Sequence, residues 1–272
     1  MKNVLLTVMY DGTGFSGWQR QPEAPTVQGE LERVLSQICG EKIQVDGTSR
    51  TDAGVHAMGQ RCSFSGNFGI PVERIALAAN NMLSGGMNKT AVAGRIYIKE
   101  AISVPEGFHA RFNSLGKTYE YRILACSEPD VFSRNYCYQI REELNLNAMK
   151  KAADNIVGTH DFACFQAAGG QERKTTVRTI YGLGIEESFD ERNRRHLTLR
   201  VTGDGFLYNM VRIITGTLVD VGKGKIQPEA LAGIIESRDR TKAGHTAPPQ
   251  GLYLKEIYYS SDDMMRAAAD LR

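Results

Sequence analysis

An α+β fold made of two split βαβ units, the ferredoxin-like arrangement, follows from three features of the sequence. Residues 1–104 read in the order strand, helix, strand, strand, helix, strand. Around Pro105-Glu106-Gly107 that order starts again and runs, with extra helices, through residues 105–260. The 272 residues, 42% hydrophobic and 24% charged, are enough to bury a core and too apolar for a disordered chain. Two such units side by side predict a cleft between them. Residues 261–272 read as a short exposed tail, helical or frayed.

The first strand is Val4–Tyr10, closed by Asp11-Gly12. Gly12-Thr13-Gly14-Phe15-Ser16-Gly17 then matches G-x-G-x-x-G, but Trp18-Gln19-Arg20-Gln21-Pro22 and Pro25 stand where a dinucleotide fingerprint needs a helix. The stretch is therefore a loop. Its Trp18, Gln19, Arg20 and Gln21 are able to meet sugars, bases and phosphates, although Trp and Arg serve as readily in packing. Thr26 caps a helix with Val27, Leu31, Val34, Leu35 and Ile38 on one stripe, ended by Gly40. Alternation in Lys42–Asp46 predicts a strand, and Gln60–Phe64 predicts another. Pro71 opens a helix carrying Val72, Ile75, Ala76, Ala79 and Leu83, and Val92–Ala101 is a strand.

In the second half, Lys117–Ile123 is a strand with Tyr119, Tyr121 and Ile123 on one face. Gly116-Lys117-Thr118 is no phosphate loop, because a strand follows it and Arg111 replaces the first glycine. Asn145–Val157 is an amphipathic helix, and Arg178–Glu187 pairs with Arg195–Thr202 across a solvated Arg192–Arg195 turn. Phe206, Met210, Ile214, Leu218 and Val221 predict a strongly apolar helix from Phe206 to Gly222. Arg212 lies within it, and must either reach water along its stem or meet a carboxylate. Pro228 starts a further helix, Gly244–Gly251 is a loop with Pro248-Pro249, and Gly251–Ile257 is the last strand.

The candidate site is Ser49-Arg50-Thr51-Asp52-Ala53-Gly54-Val55-His56-Ala57, a loop between two strands. In an extended segment Arg50 and Asp52 project to the same side, so a carboxylate and a guanidinium share a site. A structural Arg/Asp turn is the competing reading. The net charge of +2 does not mark a nucleic-acid binder by totals, so any basic surface is local, with Arg20, Arg50, Arg61, Arg111 and Lys117 as candidates. Five scattered cysteines without a C-x-x-C pair argue against a disulfide framework or a zinc site. No apolar run approaches roughly 20 residues, and a cytoplasmic protein without a membrane segment is expected.

Seven ordered stretches closely resemble the bacterial tRNA pseudouridine synthase family called TruA. They are Tyr10-Asp11-Gly12 with Phe15–Gln21, Thr26–Glu32, Arg50–Ala57, Arg111-Phe112 with Tyr119-Glu120-Tyr121, Gly158–Phe162, Phe206–Arg212 and Pro248–Leu254. Ser49 stands where many relatives have glycine. The resemblance implies isomerisation of uridine to pseudouridine in the anticodon stem-loop of tRNA, without metal or redox cofactor, after base flipping. It implies the pseudouridine synthase fold, with the mainly antiparallel sheets of the two subdomains fused, a central catalytic cleft, and a homodimer gripping one tRNA. It makes Asp52 the catalytic carboxylate and Arg212 its ion-pair partner. Tyr119 is placed on the target base with a catalytic part in the proton transfer at C5, Leu252 against the base, and Arg50 in the space of the extruded nucleotide. Arg20, Gln21, His56 and Arg111 are further substrate-binding candidates. Two alternatives stay open: a catalytically silent RNA-binding module, and a glycoside hydrolase, for which Asp46 and Asp52 are the nearest carboxylate pair.

Overall fold

A computed structural model describes residues 1–85, 92–169 and 174–271. In chain order the strands and helices are β1 (Lys2–Tyr10), α1 (Val27–Cys39), β2 (Asp46–Gly47), β3 (His56–Gly66), α2 (Val72–Leu83), β4 (Ile96–Ser103), β5 (Gly116–Ala125), β6 (Tyr138–Ile140), α3 (Leu146–Ala153), β7 (Gly158–Asp161), β8 (Val177–Phe189), β9 (Arg195–Gly203), α4 (Met210–Gly222), α5 (Ala230–Ser237), β10 (Leu252–Tyr258) and α6 (Ser261–Ala269). They divide into two compact units, Met1–Ser114 with Tyr253–Tyr259, and Leu115–Leu252 with the chain from Ser260.

In the first unit β1 runs antiparallel to both β3 and β4, and β10 pairs in parallel with β3 through Tyr253 opposite His56. Val4, Leu6 and Val8 of β1 are buried with Leu31, Val34 and Leu35 of α1 and Ile75 and Ala79 of α2. Thr26 accepts the Gly29 N–H at the start of α1, and Gly40 ends it at φ 71°, so the expected caps form. Residues 105–114 belong to this unit, beyond the expected boundary at 104/105. Asn3 Nδ2 donates to the carbonyls of Pro105 and Phe108, and the Ala110 N–H donates to Ser63 Oγ.

Lys42–Val45 is not a strand. Ile43 and Val45 are buried as the alternation requires, but their amides are taken by α1 side chains: Ile43 N–H donates to Ser36 Oγ and Val45 N–H to Glu32 Oε1. Only Asp46 and Gly47 pair with β3.

In the second unit β5, β9, β8 and β7 form an antiparallel series, with β6 parallel to β5. The core helix α4 is buried on nearly every side, as its composition requires. Its two buried threonines bond back to the helix, Thr215 to the Val211 carbonyl and Thr217 to that of Ile213. The helix starts at Met210 and not at Phe206, because Asn209 takes a left-handed turn at φ 58° immediately before it. The tail is an ordered helix, α6, with Met264 and Ala268 buried. Gly182 lets it approach: a Cβ there would run into the main chain of Ala268.

The turn at Asp190–Arg194 is also more than solvated. Arg194 Nη1 reaches Asp130 Oδ2 at 2.6 Å and its Nε reaches Asp190 Oδ2 at 2.7 Å. The Arg194 hydrogen bond is the main reason that the Asp130 carboxyl titrates at about 2, below its ordinary 3.8. A depressed folded-state value contributes stability above the unfolded value, and that contribution is lost as pH falls through the folded one. Asp130→Asn is expected to flatten the acid limb: between pH 4 and 2 its melting temperature should fall less steeply than that of the parent. Parallel slopes in a pH series of thermal melts would contradict this.

Candidate active site

Asp52 opens a β-turn on the loop between β2 and β3. Its carbonyl accepts the Val55 N–H at 3.1 Å, and Gly54, at φ 78°, supplies the left-handed residue that the turn needs. The residues before it are held by side chains instead of a strand partner. Gln60 Nε2 donates to the Ser49 carbonyl at 2.6 Å and its Oε1 accepts the Ser49 N–H at 3.2 Å, so one side-chain amide stands in for a strand backbone. The Tyr10 and Thr51 hydroxyls are 2.7 Å apart, and the Thr51 carbonyl accepts the Trp18 N–H at 3.0 Å. Asp52 is half-buried and Arg50 exposed, while Ser49 and Thr51 are buried, so inward and outward residues alternate at the start of the loop.

The preceding glycine loop packs directly on this turn. A Cβ at Gly12 would strike the Val55 carbonyl, and one at Gly17, which sits at φ 91°, would lie 2.8 Å from the Thr51 carbonyl. This is the use of the G-x-G-x-x-G spacing: backbone meets backbone, with no helix and no phosphate required. His56 is buried beneath the same loop. Its Nδ1 lies 3.0 Å from the Gly12 nitrogen and 3.2 Å from Asp11 Oδ1, and its ring stacks on Tyr253 at 4.7 Å.

The other first-unit candidates lie nearby with different degrees of engagement. Arg50 is exposed, and with Arg111 it lines a cavity of about 200 Å³. Arg20 is ion-paired to the buried Glu32 at 2.9 Å, and Gln21 Nε2 donates to the Ser16 carbonyl. Arg20 therefore offsets a buried carboxylate as well as facing water.

Within the second unit, Tyr119, Arg212 and Leu252 each have a rigid mount. Tyr119 is buried on β5 with the Phe206 ring edge-on at 5.2 Å. Arg212 projects from the first turn of α4. Its Nε donates to the Ala247 carbonyl and its Nη1 to Asn209 Oδ1, both at 2.7 Å, while the Ala247 N–H donates back to the Arg212 carbonyl. Tyr121 donates its hydroxyl to the Pro248 carbonyl, and its ring lies against Gly251, where a Cβ would come within 2.6 Å of it. These bonds fix the loop that leads to Leu252. Burial pushes the Tyr121 phenol far up, so it remains a neutral donor. Gln60 and Tyr121 were not among the predicted site residues, since a bond to a distant partner leaves no local sequence pattern, and neither was Asn209, which bonds Arg212 three residues on.

No helix among the described residues is long and apolar enough to cross a membrane, and no group of three or more His, Cys, Asp or Glu side chains among them could hold a metal ion. The model of the tRNA pseudouridine synthase family matches residues 6–113 and 152–260. Proteins called tRNA pseudouridine synthase A match 95% of the chain and all of their own length. Those of Acetivibrio thermocellus, Ruminiclostridium cellulolyticum and Clostridium acetobutylicum are 45%, 46% and 46% identical over 259 residues. The chain belongs to the tRNA pseudouridine synthase family, a family of isomerases.

Replacement of Gln60 by leucine removes the side-chain amide that bonds both main-chain groups of Ser49. It is expected to destabilise the protein by about 1–3 kcal/mol in chemical denaturation and to lower activity, although Gln60 performs no chemistry. Unchanged stability would mean that the loop does not depend on this clamp.

Proposed function

We propose that this protein isomerises uridine to pseudouridine in the anticodon stem-loop of tRNA, with Asp52 as the catalytic carboxylate. The observation that carries the reading is the anchored turn that presents Asp52, a single carboxylate on a loop whose flanking main chain is bonded on both sides. The reaction breaks the N1–C1′ bond, with the electron pair leaving on the base, and forms C5–C1′. The proton lost from C5 is balanced by one gained at N1. Atoms and oxidation state are conserved overall, so the balance demands no second substrate, metal or redox group. The carboxylate serves at the sugar C1′, at the base ring, or as base toward the sugar 2′ proton. Each requires it ionised and fixed in place.

Arg212 is assigned as the ion pair of Asp52. The fork that bonds Ala247 and Asn209 supports this, because a guanidinium held at two nitrogens delivers its charge in one direction. Tyr119 is assigned to stack on the target base, with Leu252 packing against it and Arg50 occupying the place of the extruded nucleotide. Arg20, Gln21, His56 and Arg111 are assigned to RNA binding, His56 acting through the loop it supports. A homodimer that holds one tRNA, working in the cytoplasm, completes the reading.

The test is release of tritium from C5-labelled uridine in unmodified tRNA, with pseudouridine mapped in the product. Asp52→Ala is expected to abolish release while the melting temperature and tRNA affinity stay close to those of the parent, because the turn's main-chain bonds do not use the carboxylate. Release by the alanine variant, or none by the parent protein, would overturn the assignment. Free uracil as product would point to hydrolysis instead.

A further inference from the structure

The cavity beside Arg50 has a feature that the isomerisation itself does not use. Phe112 stands at its rim with 76% of its surface exposed. It is nonetheless held in place. The turn beneath it is closed by the Asn113 N–H donating to the His109 carbonyl at 3.1 Å and the His109 N–H donating to Asn113 Oδ1 at 2.8 Å. One neighbour of the ring is the His109 imidazole at 4.3 Å, and another is the Arg111 guanidinium at 5.8 Å. The imidazole is itself fixed: its Nδ1 accepts the Arg111 N–H at 3.1 Å, which puts the proton of the neutral ring on Nε2, 3.7 Å from Asp46 Oδ2. An aromatic ring that is both rigid and exposed is a stacking platform already ordered before a ligand arrives.

The rest of the cavity selects the ligand. Its volume of about 200 Å³ is below the ~300–1,000 Å³ usual for ligand pockets, so it suits one ring system. Trp18 and Gly47 form the floor, where a Cβ at Gly47 would collide with the indole. Gln19 also lines it. Asp46 puts a carboxylate in the lining, which repels a phosphate and accepts from a ring N–H or an exocyclic amine. Arg50 and Arg111 supply the positive charge for a phosphate attached to such a ring. The geometry points to a subsite for a single unpaired nucleotide of the RNA, distinct from the target uridine, with its base stacked on Phe112 and its phosphate met by Arg50 and Arg111. This rests on the RNA-modifying reading above, and it adds Phe112, His109 and Asp46 to the residues that recognise the substrate.

The test compares Phe112→Ala, Phe112→Leu and Phe112→Trp by tritium release from full-length unmodified tRNA, with thermal melts of each protein. Loss of a base stack is expected to raise KM roughly 5- to 100-fold in the alanine and leucine variants, with the loss falling on KM and not on kcat. Tryptophan should restore the parent value, and melting temperatures should be unchanged throughout. Leucine matching tryptophan, or a KM unmoved by alanine, would overturn the subsite while leaving the isomerase reading intact. If the parent protein releases no tritium, the isomerase reading fails, and binding of a single-stranded oligoribonucleotide carrying 2-aminopurine decides the subsite alone. Fluorescence quenching by the parent and tryptophan proteins, lost in the alanine and leucine variants, supports it; equal quenching by all four overturns it.

Discussion

The first unit depends on the direct approach of two backbones. Gly12 meets the Val55 carbonyl and Gly17 meets that of Thr51, with no side chain between them at either place. A loop presenting a reactive carboxylate lacks the ladder of hydrogen bonds that steadies a strand, and its buried polar groups still require partners. Here the second loop supplies a backbone surface, the Trp18 N–H supplies a donor, and Gln60 and Tyr10 reach in from β3 and β1. Asp52 inherits its position from the sheet through these bonds. It is therefore placed by a rigid element although it stands on a loop.

The second unit solves the same problem with different chemistry. The loop before Leu252 is fastened to α4 by Arg212, through both its main chain and its guanidinium, and to β5 by the Tyr121 hydroxyl. An arginine is suited to this because its planar fork bonds two oxygens at once and is always charged. The price is a polar side chain on a helix that is otherwise buried almost throughout. Its location in the first turn lets it leave the helix at the end, while Ile213, Ile214 and Leu218 fill the core.

Much of this was legible in the sequence wherever the signal is local. The stripes of α1 and α2, the cap at Thr26 and the face shared by Tyr119 and Tyr121 are written in residue spacing, and the Asp52 turn announces itself through Gly54. Features that depend on distant partners were misread. Lys42–Val45 alternates as a strand does, but alternation reports only that one side is buried, and Glu32 and Ser36 of α1 take the place of a neighbouring strand. The tail reads as exposed, helical or frayed. What orders it is Ala268 meeting the opening left by Gly182, and Met264 that left by Gly116, both far earlier in the chain. Arg212 could be read two ways for the same reason, since neither Ala247 nor Asn209 carries a mark of its role.

Separating position from reactivity explains why so few residues need carry the proposed chemistry. A carboxylate that must find its geometry during each turnover gives up orientational entropy in the barrier; one whose main chain is already fixed does so during folding. The cost is then borne by buried glycines, a glutamine and two hydroxyls, none of which touches the reacting atoms in the proposed mechanism. Under the proposed mechanism, substitutions at those positions act on stability and rate together, whereas substitution of Asp52 acts chiefly on rate. That contrast follows from the bonding pattern, because the Ser49, Thr51 and Asp52 main-chain bonds remain whole whatever side chain Asp52 carries.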